Sequence, residues 1–250
     1  MIHHYVISLR KAELRRKHIN LEFNKHAVSF DFFDAVEPSM NQCFLEKFGI
    51  SSKQVKDLSV SELACLLSHL CVWQKCIDSD LNFIGVFEDD IDLGSDAELL
   101  LNDTSWFAGK DIVKLEKFHK KVELSLRGES INATGRKVHE LLGKNLGAAG
   151  YILSKSGCTY MLNYIKEMEE IECIDVVLFN QITYPKFIKV YQLQPAIVIQ
   201  DKLFSQGDVK FSSSIVRSKK KNNSIYFNEK IKREFFRMLR SLRMKVIDFK

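Results

Sequence analysis

The hydrophobic pattern alternates short apolar runs with longer amphipathic stretches. Tyr5-Val-Ile-Ser-Leu9 is apolar and rich in β-branched residues, and it gives way at once to Arg10-Lys-Ala-Glu-Leu-Arg-Arg-Lys17. That order predicts a buried strand feeding a charged helix. Val28 to Val36 alternates enough for a second strand, so the chain opens as a βαβ unit and favours a parallel sheet with helices on its faces. Ser59-Val-Ser-Glu62 has the form of a capping box, and Leu63, Leu66, Leu67, Leu70 and Trp73 follow at helical spacing. Asn82 to Phe87 predicts a central strand that stops in Glu88-Asp-Asp-Ile-Asp92. Leu146 to Leu153 predicts another strand, approached through glycine and alanine, and Ser156 to Met168 a helix. Phe187–Tyr191 and Ala196–Ile199 predict further strands, separated by Pro195. Residues 116–144 carry no clean period, and no internal repeat is present.

The last stretch differs in kind. Ile231, Phe235, Phe236, Leu239, Leu242 and Val246 recur at helical spacing among lysines and arginines, the pattern of a basic amphipathic helix. From Arg217 to Lys250 there are 12 Lys/Arg against 3 Asp/Glu, whereas the rest of the chain holds 25 against 29. A mildly acidic body thus carries a basic tail, and the break near 205–228 sets the expected units at 1–216 and 217–250. Such a block points to an anionic partner, a membrane surface or nucleic acid. The bland alternative is a helix packed on the body with its charges solvated.

With 46% hydrophobic residues and 18 Phe in 250, the chain has ample material for a core. No apolar run approaches the roughly 20 residues of a spanning helix. The N-terminus lacks the basic region and apolar segment of a signal peptide, so a cytoplasmic protein is expected. The six cysteines form no Cys-x-x-Cys pair. Cys65 and His69 stand four apart, but no second pair at zinc-ligand spacing follows, and the cysteines read better as small buried residues.

The acidic cluster is the sharpest chemical feature. Glu88, Asp89, Asp90 and Asp92 fall within five residues directly after an apolar strand, where open α/β sheets bind ligands. Such density of like charge is unfavourable unless a cation neutralises it, and hard oxygens with few positions suit Mg²⁺ or Mn²⁺ beside substrate phosphates. A solvated acidic turn is the competing reading. Arg10, Arg15 and Arg16 have the guanidinium forks that complement a diphosphate, though arginines on a first helix are commonly just solvated.

Four segments, in order over about four-fifths of the chain, resemble glycosyltransferase family 25, the lipooligosaccharide galactosyltransferases related to collagen galactosyltransferases. They are Tyr5 to Arg10 with Arg15-Arg16; Leu58 to His69 with Trp73; Phe87-Glu-Asp-Asp90; and Gly150-Tyr-Ile-Leu-Ser154 with Gly157, Ile174-Asp175 and Pro195 to Gln200. The resemblance implies a GT-A-like α/β fold, with a Rossmann-like, mostly parallel sheet flanked by helices. It implies a UDP-sugar donor and a divalent cation, Mn²⁺ or Mg²⁺, on the donor diphosphate. Carried over, Glu88 and Asp90 become metal ligands, and Leu9, Arg10, Arg15, Ser68, His69, Glu88, Asp89 and Gly150 line the donor site. Ser8 departs from the family, which usually has Asn there. Asp92 forms a second Asp-x-Asp with Asp90 but lies outside the family motif.

An inverting transfer needs a carboxylate to accept the acceptor hydroxyl's proton. Asp175, matching a family Asp and set in an apolar stretch, is the candidate base; a helix N-cap is the alternative. The expected function is transfer of galactose from UDP-galactose to a lipid-linked lipooligosaccharide or lipopolysaccharide core sugar. UDP-N-acetylglucosamine or UDP-glucose are alternative donors. A metal-dependent phosphohydrolase using the same carboxylates is a further reading. Peripheral contact with anionic lipids at the inner face of a bacterial inner membrane is expected of the tail. Nucleic-acid binding is disfavoured, because the body is acidic and shows no aromatic-interleaved basic sheet face.

Overall fold

The computed structural model describes residues 2–180, 188–201 and 241–250. The chain begins with β1 (Ile2–Ser8), α1 (Glu13–Lys25), β2 (Asp31–Asp34) and α2 (Asn41–Phe48). It continues with α3 (Val60–Asp78), β3 (Phe83–Glu88), β4 (Ile91–Leu93) and α4 (Ala97–Asn102). Short strands follow: β5 (Ile112–Lys114), β6 (Glu116–Lys117), β7 (Lys121–Glu123), β8 (Glu129–Ser130) and β9 (Lys137–Glu140). Then come β10 (Gly150–Ser154), α5 (Lys155–Glu167), α6 (Ile174–Phe179), β11 (Val190–Gln194), β12 (Val198–Gln200) and β13 (Met244–Val246).

Eight strands form one sheet in the order β2-β1-β3-β10-β5-β11-β9-β8. Its pairings run β2, β1, β3, β5, β11 and β8 in one direction and β10 and β9 against them, so the sheet is mostly parallel in sense. The two-residue period divides its side chains between two cores. Ile7, Ile84, Val86, Ile112, Tyr151 and Leu153 pack with α3, α5 and α6. Val6, Phe87, Val113 and Ile152 pack with α1 and α4 on the other face. A sheet covered on both sides explains why its strands read as continuous apolar runs. A small sheet, β4-β12-β6, lies beside the large one.

The expected capping box opens α3: the Ser59 hydroxyl accepts from Glu62 N–H at 3.2 Å, and Ser59 N–H donates to Glu62 Oε2 at 2.9 Å. Three expected strands are shifted or shorter. Val28–Val36 narrows to Asp31–Asp34, Leu146–Leu153 begins only at Gly150, and the described strand near 187–191 starts at Val190. No helix among the described residues is long and apolar enough to cross a membrane.

The C-terminal expectation needs correction. Residues 217–240 lie outside the described residues, but the amphipathic helix does not extend to Val246. After Ser241–Arg243 the chain enters β13, which pairs antiparallel with β7. Ile247 is fully buried in the core, Ala196 N–H donates to Asp248 O at 2.8 Å, and Arg136 Nη2 donates to Lys250 O at 2.6 Å. The apolar residues that matter here, Ile247 and Phe249, follow a strand period. The strand before them pairs with residues 121–123, which show no pattern of their own, and Phe249 bridges Ala196. The end of the expected 217–250 unit therefore belongs to the body.

Candidate active site

Parallel strands β1 and β3 end side by side, with Ile7 opposite Glu88. Beyond their carboxyl ends the four carboxylates separate by direction. Glu88 Oε2 and Asp90 Oδ1 both accept from the side-chain amide of Gln200 on β12, at 3.1 and 3.3 Å. Asp89, one residue out of phase, turns to β1 and α1: Oδ2 accepts from the Ser8 hydroxyl at 2.7 Å and Oδ1 from Arg15 Nη1 at 2.6 Å. Asp92 lies on β4, with Oδ1 3.4 Å from His18 Nε2. Asp89 is thus compensated by a guanidinium, while Glu88 and Asp90 converge on one amide nitrogen. That pair of hard oxygens fits a divalent cation of the Mg²⁺ or Mn²⁺ type. Asp92 faces His18 on α1.

His69, fully buried on α3, stands behind Glu88. Its Nδ1 is 2.6 Å from Tyr151 Oη, which also accepts from Trp73 Nε1 at 2.9 Å. An indole N–H only donates, and the imidazole tautomer with Nδ1 unprotonated is the one that gives the phenolic proton an acceptor. Burial holds the imidazole pKa down to about 3, leaving the ring neutral with its proton on Nε2. That N–H faces Glu88 Oε1 at 3.8 Å. Cys65, His69 and Glu88 offer ligand atoms within 4.8 Å of one another. Burial, with the nearby charge of Glu88, pushes the Cys65 thiol well above its ordinary value.

A second cluster escaped the sequence reading. Lys114, at the centre of the large sheet, is fully buried. Its ammonium donates to Glu116 Oε2 at 2.9 Å and to the Gly147 carbonyl, and lies 4.2 Å from the centre of the Phe179 ring. Burial lowers its pKa, against the opposing pull of Glu116, Asp175 and Glu88. Glu116 Oε2 also accepts from Ala149 N–H at 3.0 Å. Asp175, in the first turn of α6, accepts from Gly147 N–H at 3.4 Å through Oδ2. The charges of Glu88, Asp175 and Asp90 all bear on the Cys65 thiol, so the candidate base and the acidic pair share one neighbourhood. Asp175 also lines a cleft of about 250 Å³ with Leu58, Glu62, Leu146, Ile171 and Cys173. The available signal was two polar residues, Lys114 and Glu116, in phase within an apolar run.

The remaining sequence candidates have other local partners. Arg10 is exposed and pairs with Asp34 at 2.6 Å, and Arg16 pairs with the same carboxylate and with Ser8 O. Arg15 alone of the three reaches the acidic motif. The Leu9 carbonyl accepts from Ala12 N–H at the turn into α1. The buried Ser68 hydroxyl donates to Ala64 O at 2.7 Å and accepts from Val36 N–H at 2.9 Å, fastening the chain after β2 to α3. Gly150 pairs with Phe87, and a Cβ there would lie 2.7 Å from Val198 Cγ1, so its absent side chain serves close packing. Ser8, in place of the expected Asn, supplies the hydroxyl on Asp89.

The sequence profile of glycosyltransferase family 25 (LPS biosynthesis protein) matches residues 1–178. The chain is 33% identical to the lipooligosaccharide biosynthesis protein lic2B of Haemophilus influenzae, over 95% of this chain and 89% of that protein. It is 29% identical to the lipooligosaccharide biosynthesis protein lex-1 of Haemophilus influenzae (strain ATCC 51907 / DSM 11121 / KW20 / Rd), with the same two coverages. The lacto-N-neotetraose biosynthesis glycosyltransferase LgtE of Neisseria gonorrhoeae is 34% identical, over 79% of this chain and 73% of that protein.

Proposed function

The chain belongs to glycosyltransferase family 25, and from that premise we propose that it moves galactose from UDP-galactose to a core sugar of lipooligosaccharide or lipopolysaccharide, with inversion and with a divalent cation. The observation that carries the reading is the convergence of Glu88 and Asp90 on Gln200 beyond the end of β3. The names of the relatives, drawn from lipooligosaccharide and lacto-N-neotetraose biosynthesis, support the acceptor class. Glu88 and Asp90 would hold the cation, Mn²⁺ or Mg²⁺, and when bound it supplies positive charge to the leaving diphosphate. Gln200 keeps the two carboxylates together, and His69 offers its Nε2–H towards Glu88. Asp175 takes the proton of the attacking acceptor hydroxyl as that oxygen bonds to the anomeric carbon and the bond from that carbon to the diphosphate oxygen breaks.

The test is release of UDP from a panel of UDP-sugars with Mn²⁺, with and without a lipooligosaccharide core acceptor. UDP-galactose is expected to be consumed only when acceptor is present, and Asp90→Asn to abolish transfer while the fold persists. Turnover of UDP-N-acetylglucosamine or UDP-glucose instead would reassign the donor. Release without acceptor would favour a hydrolase, and near-wild-type turnover of Asp90→Asn would remove the metal assignment.

We further propose that the basic segment 217–240 holds the enzyme on anionic lipid, near a lipid-linked acceptor. At about 1 kcal/mol per basic residue, replacing Lys219, Lys220 and Lys221 by Gln weakens liposome binding about 100-fold. Unchanged co-sedimentation with phosphatidylglycerol vesicles refutes this.

A further inference from the structure

Lys114 and Glu116 sit two residues apart on consecutive strands, both fully buried, and their side chains pair at 2.9 Å. A buried ion pair is expensive to desolvate, and apolar residues of similar volume commonly serve stability as well or better. The pair therefore calls for a role other than filling the core, and its hydrogen bonds supply one. Lys114 holds the Gly147 carbonyl, and Glu116 holds the Ala149 N–H, so the two side chains grip the backbone on both sides of Ala148. The gripped segment in turn presents Gly147 N–H to Asp175 Oδ2. It is tied to the same helix once more, where Asn145 N–H donates to Phe179 O at 3.1 Å. Gly147 has φ of +88°, and a Cβ there would stand 2.6 Å from both Glu116 Oε1 and Phe118 Cδ2. The segment thus passes against the ion pair so closely that no side chain fits between them.

We propose that Lys114 and Glu116 form one positioning unit that fixes the 147–149 backbone and, through Gly147 N–H, sets the Asp175 carboxylate for proton transfer. The inference rests on the reading of Asp175 as the base. Neither side chain touches substrate in this account; they act through one peptide group. Misplacing a reacting group by about 1 Å can cost about 100-fold in rate. The expected signature is therefore a fall in kcat, with the donor KM unchanged.

The experiment uses the full chain and the paired variant Lys114→Met/Glu116→Gln, which removes both charges and leaves neither buried alone. Its kcat is expected to fall about 10- to 100-fold with donor KM within twofold, and hydrogen exchange at the Gly147 and Ala149 amides to quicken. In an Asp175→Asn background the same pair of substitutions should cost no further kcat, because the group being positioned is gone. Lys114→Gln/Glu116→Gln, which also leaves no charge buried alone and keeps an oxygen for Ala149 N–H, should show the same pattern at smaller amplitude and serves if the first paired variant does not fold. Three results overturn the proposal: unchanged kcat in the paired variant while Asp175→Asn is inactive, losses that multiply with that of Asp175→Asn, or a change confined to donor KM. Wild-type kcat in Asp175→Asn itself overturns the base assignment and the inference with it, and that arm separates the two failures.

Discussion

Replacing Tyr151 by Phe tests the proton accounting around His69. The substitution removes one oxygen and keeps the ring that stacks on the imidazole at 5.7 Å between centroids. It leaves two groups without their partner in a fully buried setting, the Trp73 indole N–H and His69 Nδ1. An unsatisfied buried polar group costs about 1–3 kcal/mol. Two together give about 4 kcal/mol, which for a chain of this size lowers the melting temperature by about 8–16 °C. His69 would also be freed to carry its proton on either nitrogen. Calorimetry of Tyr151→Phe, Trp73→Phe and the double variant measures the coupling directly. A Tyr151→Phe protein melting within 2 °C of wild type, or strict additivity of the two substitutions, would refute the network as described.

Stability should fall with acid because His4 is buried, donates from Nε2 to Leu101 O at 3.0 Å, and has a pKa held down to about 4, chiefly by burial. The unfolded chain takes up that proton near pH 6.5 and the folded one does not, so the contribution is full above 6.5 and about 3 kcal/mol is lost between 6.5 and 4; His4→Gln should flatten the slope of urea-unfolding stability across that window. Asp89→Asn removes the carboxylate shared by Ser8 and Arg15, and is expected to cost about 2 kcal/mol and 4–8 °C of melting temperature; a smaller loss in differential scanning fluorimetry would show that Arg15 re-pairs at no cost. Deleting residues 244–250 exposes the site of Ile247 and strips Arg136 of its Lys250 carbonyl partner, so the truncated chain should lose several kcal/mol or fail to accumulate in soluble form. A stable truncated protein would show that β13 is dispensable.

Much of the architecture is written in short-range pattern. The Tyr5–Leu9 run, the Ser59 capping box with its leucines at helical spacing, and the strand that stops in four carboxylates each depend on residues within a turn or a few positions of one another. Such interactions are settled wherever the segment ends up, so they can be read before the fold is known. The acidic cluster stood out for the same reason, and Asp175 was singled out as a candidate with the help of the family resemblance. What the four carboxylates do is another matter. Asp89 and Asp90 are chemically identical neighbours, and only the placement of Arg15 on one side and Gln200 on the other gives them different partners. Lys114 meets Gly147 across 33 positions and His69 meets Tyr151 across 82, in pairings that no local period can announce. The tail makes the same point from the other direction. Its apolar spacing is helical as far as Val246, yet residues 244–246 become a strand because β7 presents an edge to pair with and the core has room for Ile247. Local pattern determines what a segment favours by itself, and the burial and hydrogen bonds offered by distant segments decide what it becomes.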